Sequence, residues 1–71
     1  MVLGEIVARN LRLLRRERGW SQEKLGQNVG ISTNYVGMIE RQERSPTIKV
    51  IEKIAAAFEI DPIELLKEKR R

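Results

Sequence analysis

Gln22-Glu23-Lys24-Leu25-Gly26-Gln27-Asn28-Val29-Gly30-Ile31-Ser32-Thr33-Asn34-Tyr35-Val36-Gly37-Met38-Ile39-Glu40-Arg41 is the stretch that decides how this chain folds. Small residues fall at Gly26 and Gly30, and apolar ones at Leu25, Val29, Ile31, Val36 and Ile39. Two helices crossing steeply through a turn of three or four residues touch at only a few points, and those points tolerate few side chains. Gly26 stands where the second helix of the pair passes closest. Gly30 stands in the turn, where the chain leaves the first helix through a backbone angle that a Cβ would resist. The spacing predicts a helix over about Gln22 to Asn28, a turn, and a helix over about Thr33 to Arg41, with Ser21 and Ser32 as their N-caps. Lys24 takes the place that Glu or Gln would fill in a full capping box.

Outward from this pair every periodic segment has the helical period, and none alternates over strand length. A helix from about Leu3 to Arg18 puts Leu3, Val7, Leu11 and Leu14 on one stripe, with Arg9, Arg12 and Arg16 away from it, and Gly19 ends it. Gln42 to Pro46 reads as a loop, since a residue before proline is pushed out of the helical region. Thr47 caps a fourth helix running to about Phe58, with Ile48, Ile51, Ile54, Ala55 and Phe58 on its buried face. Asp61-Pro62-Ile63-Glu64 then supplies a cap, a proline at the first helical position and an acid in the first turn. A short fifth helix follows, and residues 67–71 are expected to fray. The expected fold is all-α, a compact five-helix bundle forming one domain over residues 1–71 with its core at about 3–66.

Composition narrows the function. With 71 residues the chain buries only about 60% of its surface, so pairing with a second copy would help it. It has neither cysteine nor histidine, which excludes a disulfide framework, thiol chemistry and a structural zinc. No apolar run approaches the roughly 20 residues that span a bilayer, and Met1 to Gly4 lead into a charged segment in place of a signal peptide. A soluble, cytoplasmic protein without membrane contact is expected. Fourteen Lys and Arg against ten Asp and Glu leave a net charge of +4, which favours a polyanionic partner or serves as solubility charge. An enzyme would have to rely on carboxylates, Tyr35 or a lysine, and no pair of these has a spacing that builds a concave site. Neither cofactor, metal nor small-molecule ligand is expected.

The second helix of such a pair is the one that enters the DNA major groove, which makes double-stranded DNA the expected partner. Thr33 and Asn34 open that helix and are the first candidates for base contacts, Asn toward adenine and the Thr methyl toward thymine. Tyr35 either meets a phosphate or flexible base step or packs beside the core. Met38, one turn beyond Asn34, either meets a thymine methyl or covers the helix pair. Gln22, at a helix N-terminus whose N–H groups can hold a phosphate, is a backbone-contact candidate. Ser32, Arg41, Arg44 and Lys49 are the others, with Ser32 serving equally as a cap. Trp20 reads as a core or staple residue.

Ser21 to Gly26, Ile31-Ser32, Ile39-Glu40-Arg41, Ser45-Pro46-Thr47 and Ile54-Ala55 together resemble the phage repressor and Cro-like (XRE-type) helix-turn-helix family, over about Val7 to Leu66. Tyr35 to Arg41 with Glu43 to Pro46 looks most like the controller proteins of restriction-modification systems. The resemblance implies a lambda repressor-like domain that dimerises through its C-terminal part and regulates transcription at a near-palindromic operator. It also implies that Arg15 and Glu40 form an ion pair between the first and third helices. Two recognition helices related by a two-fold axis would reach major grooves about 34 Å apart. Ile60, Ile63, Leu65 and Leu66 offer more apolar area than one short helix needs, and are the expected dimer surface. The chain departs from the family pattern at Gln42 and Glu59, where glycine is common. Gly37 lies inside the recognition helix, at a cost of about 1 kcal/mol relative to Ala, and suggests either a closely approaching backbone or a bare surface facing DNA.

A protein-binding module or antitoxin built on the same fold is the alternative. An antitoxin carries an extra segment to wrap its toxin, and only about five charged residues follow the fifth helix. A single-stranded RNA reader would need a stacking platform that three aromatics cannot form.

Overall fold

The structure, a computed structural model, describes residues 2–68; of the tail expected to fray at 67–71, residues 69–71 therefore lie outside the described residues. Five helices occupy the described chain: α1 (Val2–Glu17), α2 (Gln22–Val29), α3 (Thr33–Glu40), α4 (Ile48–Phe58) and α5 (Ile63–Leu66). Their starts follow from the hydroxyl residues. Ser21 Oγ accepts from the Lys24 N–H at 3.0 Å, Ser32 Oγ from Tyr35 at 3.0 Å, and Thr47 Oγ1 from Val50 at 3.2 Å. Each satisfies one of the N–H groups that a helix leaves unpaired at its start. At α5, Asp61 Oδ1 accepts instead from the Ile63 N–H at 3.0 Å, two residues on, across a Pro62 that is already helical.

The helix ends share one device. After α1, α3 and α4 the chain turns through a left-handed residue, Gly19 (φ 69°), Gln42 (φ 63°) and Glu59 (φ 59°). Around each, two N–H groups fold back onto the last turn: Gly19 and Trp20 onto Arg16 and Arg15, Gln42 and Glu43 onto Ile39 and Met38, Glu59 and Ile60 onto Ala56 and Ala55. This is the Schellman arrangement, which glycine normally occupies because it has no Cβ to resist αL. Gln42 and Glu59, where the family pattern wants glycine, thus keep glycine's backbone without glycine.

One core holds the bundle together. Leu11 and Leu14 of α1, Leu25 and Val29 of α2, Val36 and Ile39 of α3, Ile54, Ala55 and Phe58 of α4 and Leu65 of α5 are buried together. Trp20 lies half-buried against them, stacked on Phe58 with ring centroids 4.9 Å apart. Arg18 covers both rings and donates from Nη2 to the Phe58 carbonyl at 2.7 Å.

Three expectations need correction. Leu3 is 43% exposed and Ile48 77% exposed, although both fall on apolar stripes. They lie in the first turns of α1 and α4 and line a shallow apolar groove with Val7, Pro46 and Ile51. Leu65, expected at a dimer surface, is fully buried in the protein's own core and offers no area to a partner. Lys67 stands in the stretch expected to fray, yet its carbonyl accepts from Asn10 Nδ2 at 2.8 Å.

Asn10 explains that anchorage. It is buried at 1% exposure, and its amide also donates to the carbonyls of Leu65 (2.9 Å) and Glu64 (3.3 Å). These are carbonyls of the kind a helix leaves unpaired at its C-terminal end, so one side chain of α1 caps α5. Sequence reasoning passed over Asn10, but a signal was present: Val7, Asn10, Leu11 and Leu14 follow the i, i+3, i+4, i+7 rule, which puts a polar residue on a buried stripe.

Candidate nucleic-acid interface

The α2–α3 crossing is tight because of one missing atom. A Cβ on Gly26 would lie 2.7 Å from the Ile31 carbonyl oxygen and 3.5 Å from backbone atoms of Ser32 and Thr33. The turn itself passes through Gly30 (φ 90°), and both Gly30 and Ile31 N–H groups donate to the Gly26 carbonyl, at 2.7 and 3.0 Å. Close approach and left-handed turn together fix where α3 begins and which way it faces.

One face of α3 is sealed. Val36, Ile39 and Glu40 are buried, and Glu40 is the centre of a polar clamp. Arg15 donates from Nε to Glu40 Oε2 at 2.7 Å and from Nη2 to Oε1 at 3.2 Å, a bidentate pair 14% and 4% exposed on its two sides. Gln22 Nε2 donates to Oε1 at 3.0 Å, and Arg12 Nη1 to the Glu40 backbone carbonyl at 2.8 Å. Arg15 Nη1 also donates to the Trp20 carbonyl at 3.0 Å. The clamp therefore ties α1, α2, α3 and the α1–α2 turn at one point, and no buried side-chain nitrogen or oxygen among the described residues lacks a partner.

The opposite face is open. Thr33 and Asn34 are exposed at the start of α3, beside the exposed cap Ser32. Tyr35 is half-buried and packs against the core, and Met38 is half-buried one turn past Asn34. Arg44 and Lys49 are exposed. Gln22 is half-buried with its amide engaged by Glu40, so what it presents outward is the N-terminus of α2, whose first N–H groups have no intrahelical acceptor.

Arg41 is exposed but held. Its Nε and Nη2 donate to Glu43 Oε2 and Oε1 at 2.9 and 3.1 Å. These bonds hold the Glu43 carboxyl below its ordinary range and raise the guanidinium above its own. The guanidinium lies along α3 over Gly37, so close that a Cβ there would sit 2.9 Å from Nη1. The neighbour at Gly37 is thus not the approaching backbone that was one expectation there but a side chain of the same helical end. Of the expected dimer residues that remain, Ile60 and Leu66 are half-buried and Ile63 is 53% exposed.

No helix among the described residues is long and apolar enough to cross a membrane. The chain resembles a hypothetical transcription factor from Neisseria meningitidis, 39% identical over 64 residues that span 90% of this chain and 60% of that protein. It resembles the HTH-type transcriptional regulator SutR of Escherichia coli, 38% identical over 82% of this chain and 33% of SutR. It therefore spans less than two thirds of either relative. Among solved structures it superposes with a TM-score of 0.85 on the restriction-modification controller protein C.AhdI from Aeromonas hydrophila, 37% identical, over 92% of this chain and 98% of that one. The family model described as helix-turn-helix matches residues 11–65, which include the Gly26–Gly30 crossing, the Glu40 clamp and the buried Leu65, and the chain belongs to that helix-turn-helix family.

Proposed function

We propose that the chain, as a single domain over residues 1–71, is a sequence-specific DNA-binding transcriptional regulator working in the cytoplasm as a homodimer on a near-palindromic operator. The observation that carries this reading is the asymmetry of α3: its inner face is fixed by the Glu40 clamp, while Thr33 and Asn34 stand exposed at its leading end. A helix presented that way enters a major groove by its N-terminus. Thr33, Asn34, Tyr35 and Met38 read bases. Ser32, Arg41, Arg44, Lys49 and the α2 N-terminus at Gln22 hold phosphates. Ile60, Ile63 and Leu66 form the dimer surface, without Leu65.

The likeness to C.AhdI supports a narrower role as controller of a restriction-modification gene pair. A restriction or methyltransferase gene beside this one, with its promoter bound by the protein, is the expected finding.

The deciding experiment titrates purified protein against its own upstream duplex and an unrelated duplex of equal length at two salt concentrations. Preference for its own duplex, with affinity falling steeply as salt rises, is the expected result. Equal, weak binding to both would reject an operator reader and turn attention to a protein partner. Sedimentation at micromolar concentration should show a dimer, and a monomer there would remove the two-fold operator.

A further inference from the structure

Of the two forks through which an arginine can grip a phosphate in bidentate fashion, the side-on one of Arg41 is formed by Nε and one terminal nitrogen. Glu43 occupies that fork, with both of its carboxylate oxygens. Its placement does not depend on the ion pair alone. Gln42 turns the chain through φ 63°, and the Glu43 N–H then donates to the Met38 carbonyl at 2.8 Å, so the backbone brings Glu43 back over the end of α3. Gly37 supplies the flat ground on which the guanidinium lies, since a Cβ would push against Nη1.

We propose that Glu43 is a built-in competitor for Arg41, holding the guanidinium along α3 until a DNA phosphate replaces both of its hydrogen bonds. The inference rests on the DNA-binding reading and adds a regulating residue to that surface. Its consequence is selectivity. A phosphate that meets Arg41 squarely recovers two charge-assisted bonds and displaces the carboxylate. A passing phosphate on an unrelated duplex recovers one, and Glu43 keeps the arginine. Both partners of the pair are exposed, so the competition is expected to move affinity by roughly two- to fivefold.

The test is a double-mutant cycle on the intact protein with Glu43→Gln, Arg41→Gln and the two together, each checked for an unchanged helical spectrum. Binding is measured to the protein's own upstream duplex and to an unrelated duplex. Glu43→Gln is expected to tighten binding to both, and more for the unrelated duplex, so that discrimination falls. In the Arg41→Gln background the same change is expected to do little, and Arg41→Gln itself should lower the salt slope by about 0.9. An equal gain from Glu43→Gln in both backgrounds would mean simple charge repulsion and would overturn the competitor. So would an Arg41→Gln change that leaves affinity untouched. If the unaltered protein discriminates between duplexes but the cycle is uncoupled, only the competitor fails. If it does not discriminate at all, the DNA-binding reading fails and the competitor with it.

Discussion

Glu40 and Arg41 are neighbours in the chain, yet each belongs to an ion pair of opposite character. Glu40 faces inward, 5% exposed, and its carboxylate is closed on by Arg15 and Gln22. Arg41 faces outward, paired with Glu43 where both side chains are more than half exposed. The same chemistry is structural on one side of the helix and displaceable on the other. Burial decides which: a buried charge stripped of its partner has no water to turn to, whereas an exposed one resolvates at once. On the proposed DNA-binding reading, α3 needs both, a face that cannot move and a face that can exchange partners.

The sharpest way to break that contrast is to strip each pair of its arginine. Arg15→Met is expected to cost about 3 kcal/mol, because it leaves Glu40 buried with only Gln22 on its carboxylate. Arg41→Met should leave the urea midpoint where it is. Comparable midpoint losses in the two variants would mean that the exposed pair is structural as well.

Next in size is Gly26→Ala, expected to cost about 2 to 3 kcal/mol. The new Cβ would meet the Ile31 carbonyl oxygen at 2.7 Å, and a backbone atom in a tight turn cannot step aside as a side-chain tip can. A denaturation midpoint within error of the parent would show that α2 and α3 can separate cheaply and that the inner face of α3 is not fixed. Asn10→Ala is expected to follow, at about 2 kcal/mol, since it leaves the carbonyls of Leu65 and Lys67 without their donor. Amide exchange should rise first around α5. Uniform loss of protection would instead make Asn10 a determinant of the whole core.

These residues mark where the sequence was legible. The crossing was readable because Gly26 must leave room for the Ile31 carbonyl and Gly30 turns the chain through φ 90°, and such constraints leave a trace in the sequence. The three hydroxyl caps were readable for the same reason. Leu3, Ile48 and Leu65 were misplaced because periodicity assigns a stripe, not a neighbour. Ile48 falls on the stripe of α4 but lines an open groove and stays exposed. Which of Ile63, Leu65 and Leu66 faces inward depends on how a one-turn helix docks, and four residues carry too little period to say. The site was half legible. The open end of α3 followed from the motif, but nothing in the spacing of Glu43 announces the turn that brings it onto Arg41.

Gly37 differs from Gly26 in what a new Cβ would meet. Here the atom in the way is the far end of Arg41, which can move, so Gly37→Ala is expected to gain up to about 1 kcal/mol from helix propensity while unseating the guanidinium. A loss of stability would show that Arg41 is fixed on α3 more firmly than its exposure implies.

The smallest effects are expected at Gln42 and Glu59. Both hold φ near 60°, a conformation that costs a side chain roughly 1 kcal/mol and costs glycine almost nothing. Glycine also gives the unfolded chain more freedom, which takes back part of the gain. Gln42→Gly and Glu59→Gly should therefore each stabilise by about 0.5 kcal/mol, and by twice that together, since the two turns close different helices and share no partner. For Gln42 a second outcome matters more than the stability. Gln42→Gly keeps the turn that delivers Glu43, so DNA discrimination should survive it, whereas Gln42→Pro cannot adopt a positive φ and should release Glu43 from Arg41. Equal discrimination in the glycine and proline variants would show that the turn does not set the competitor in place.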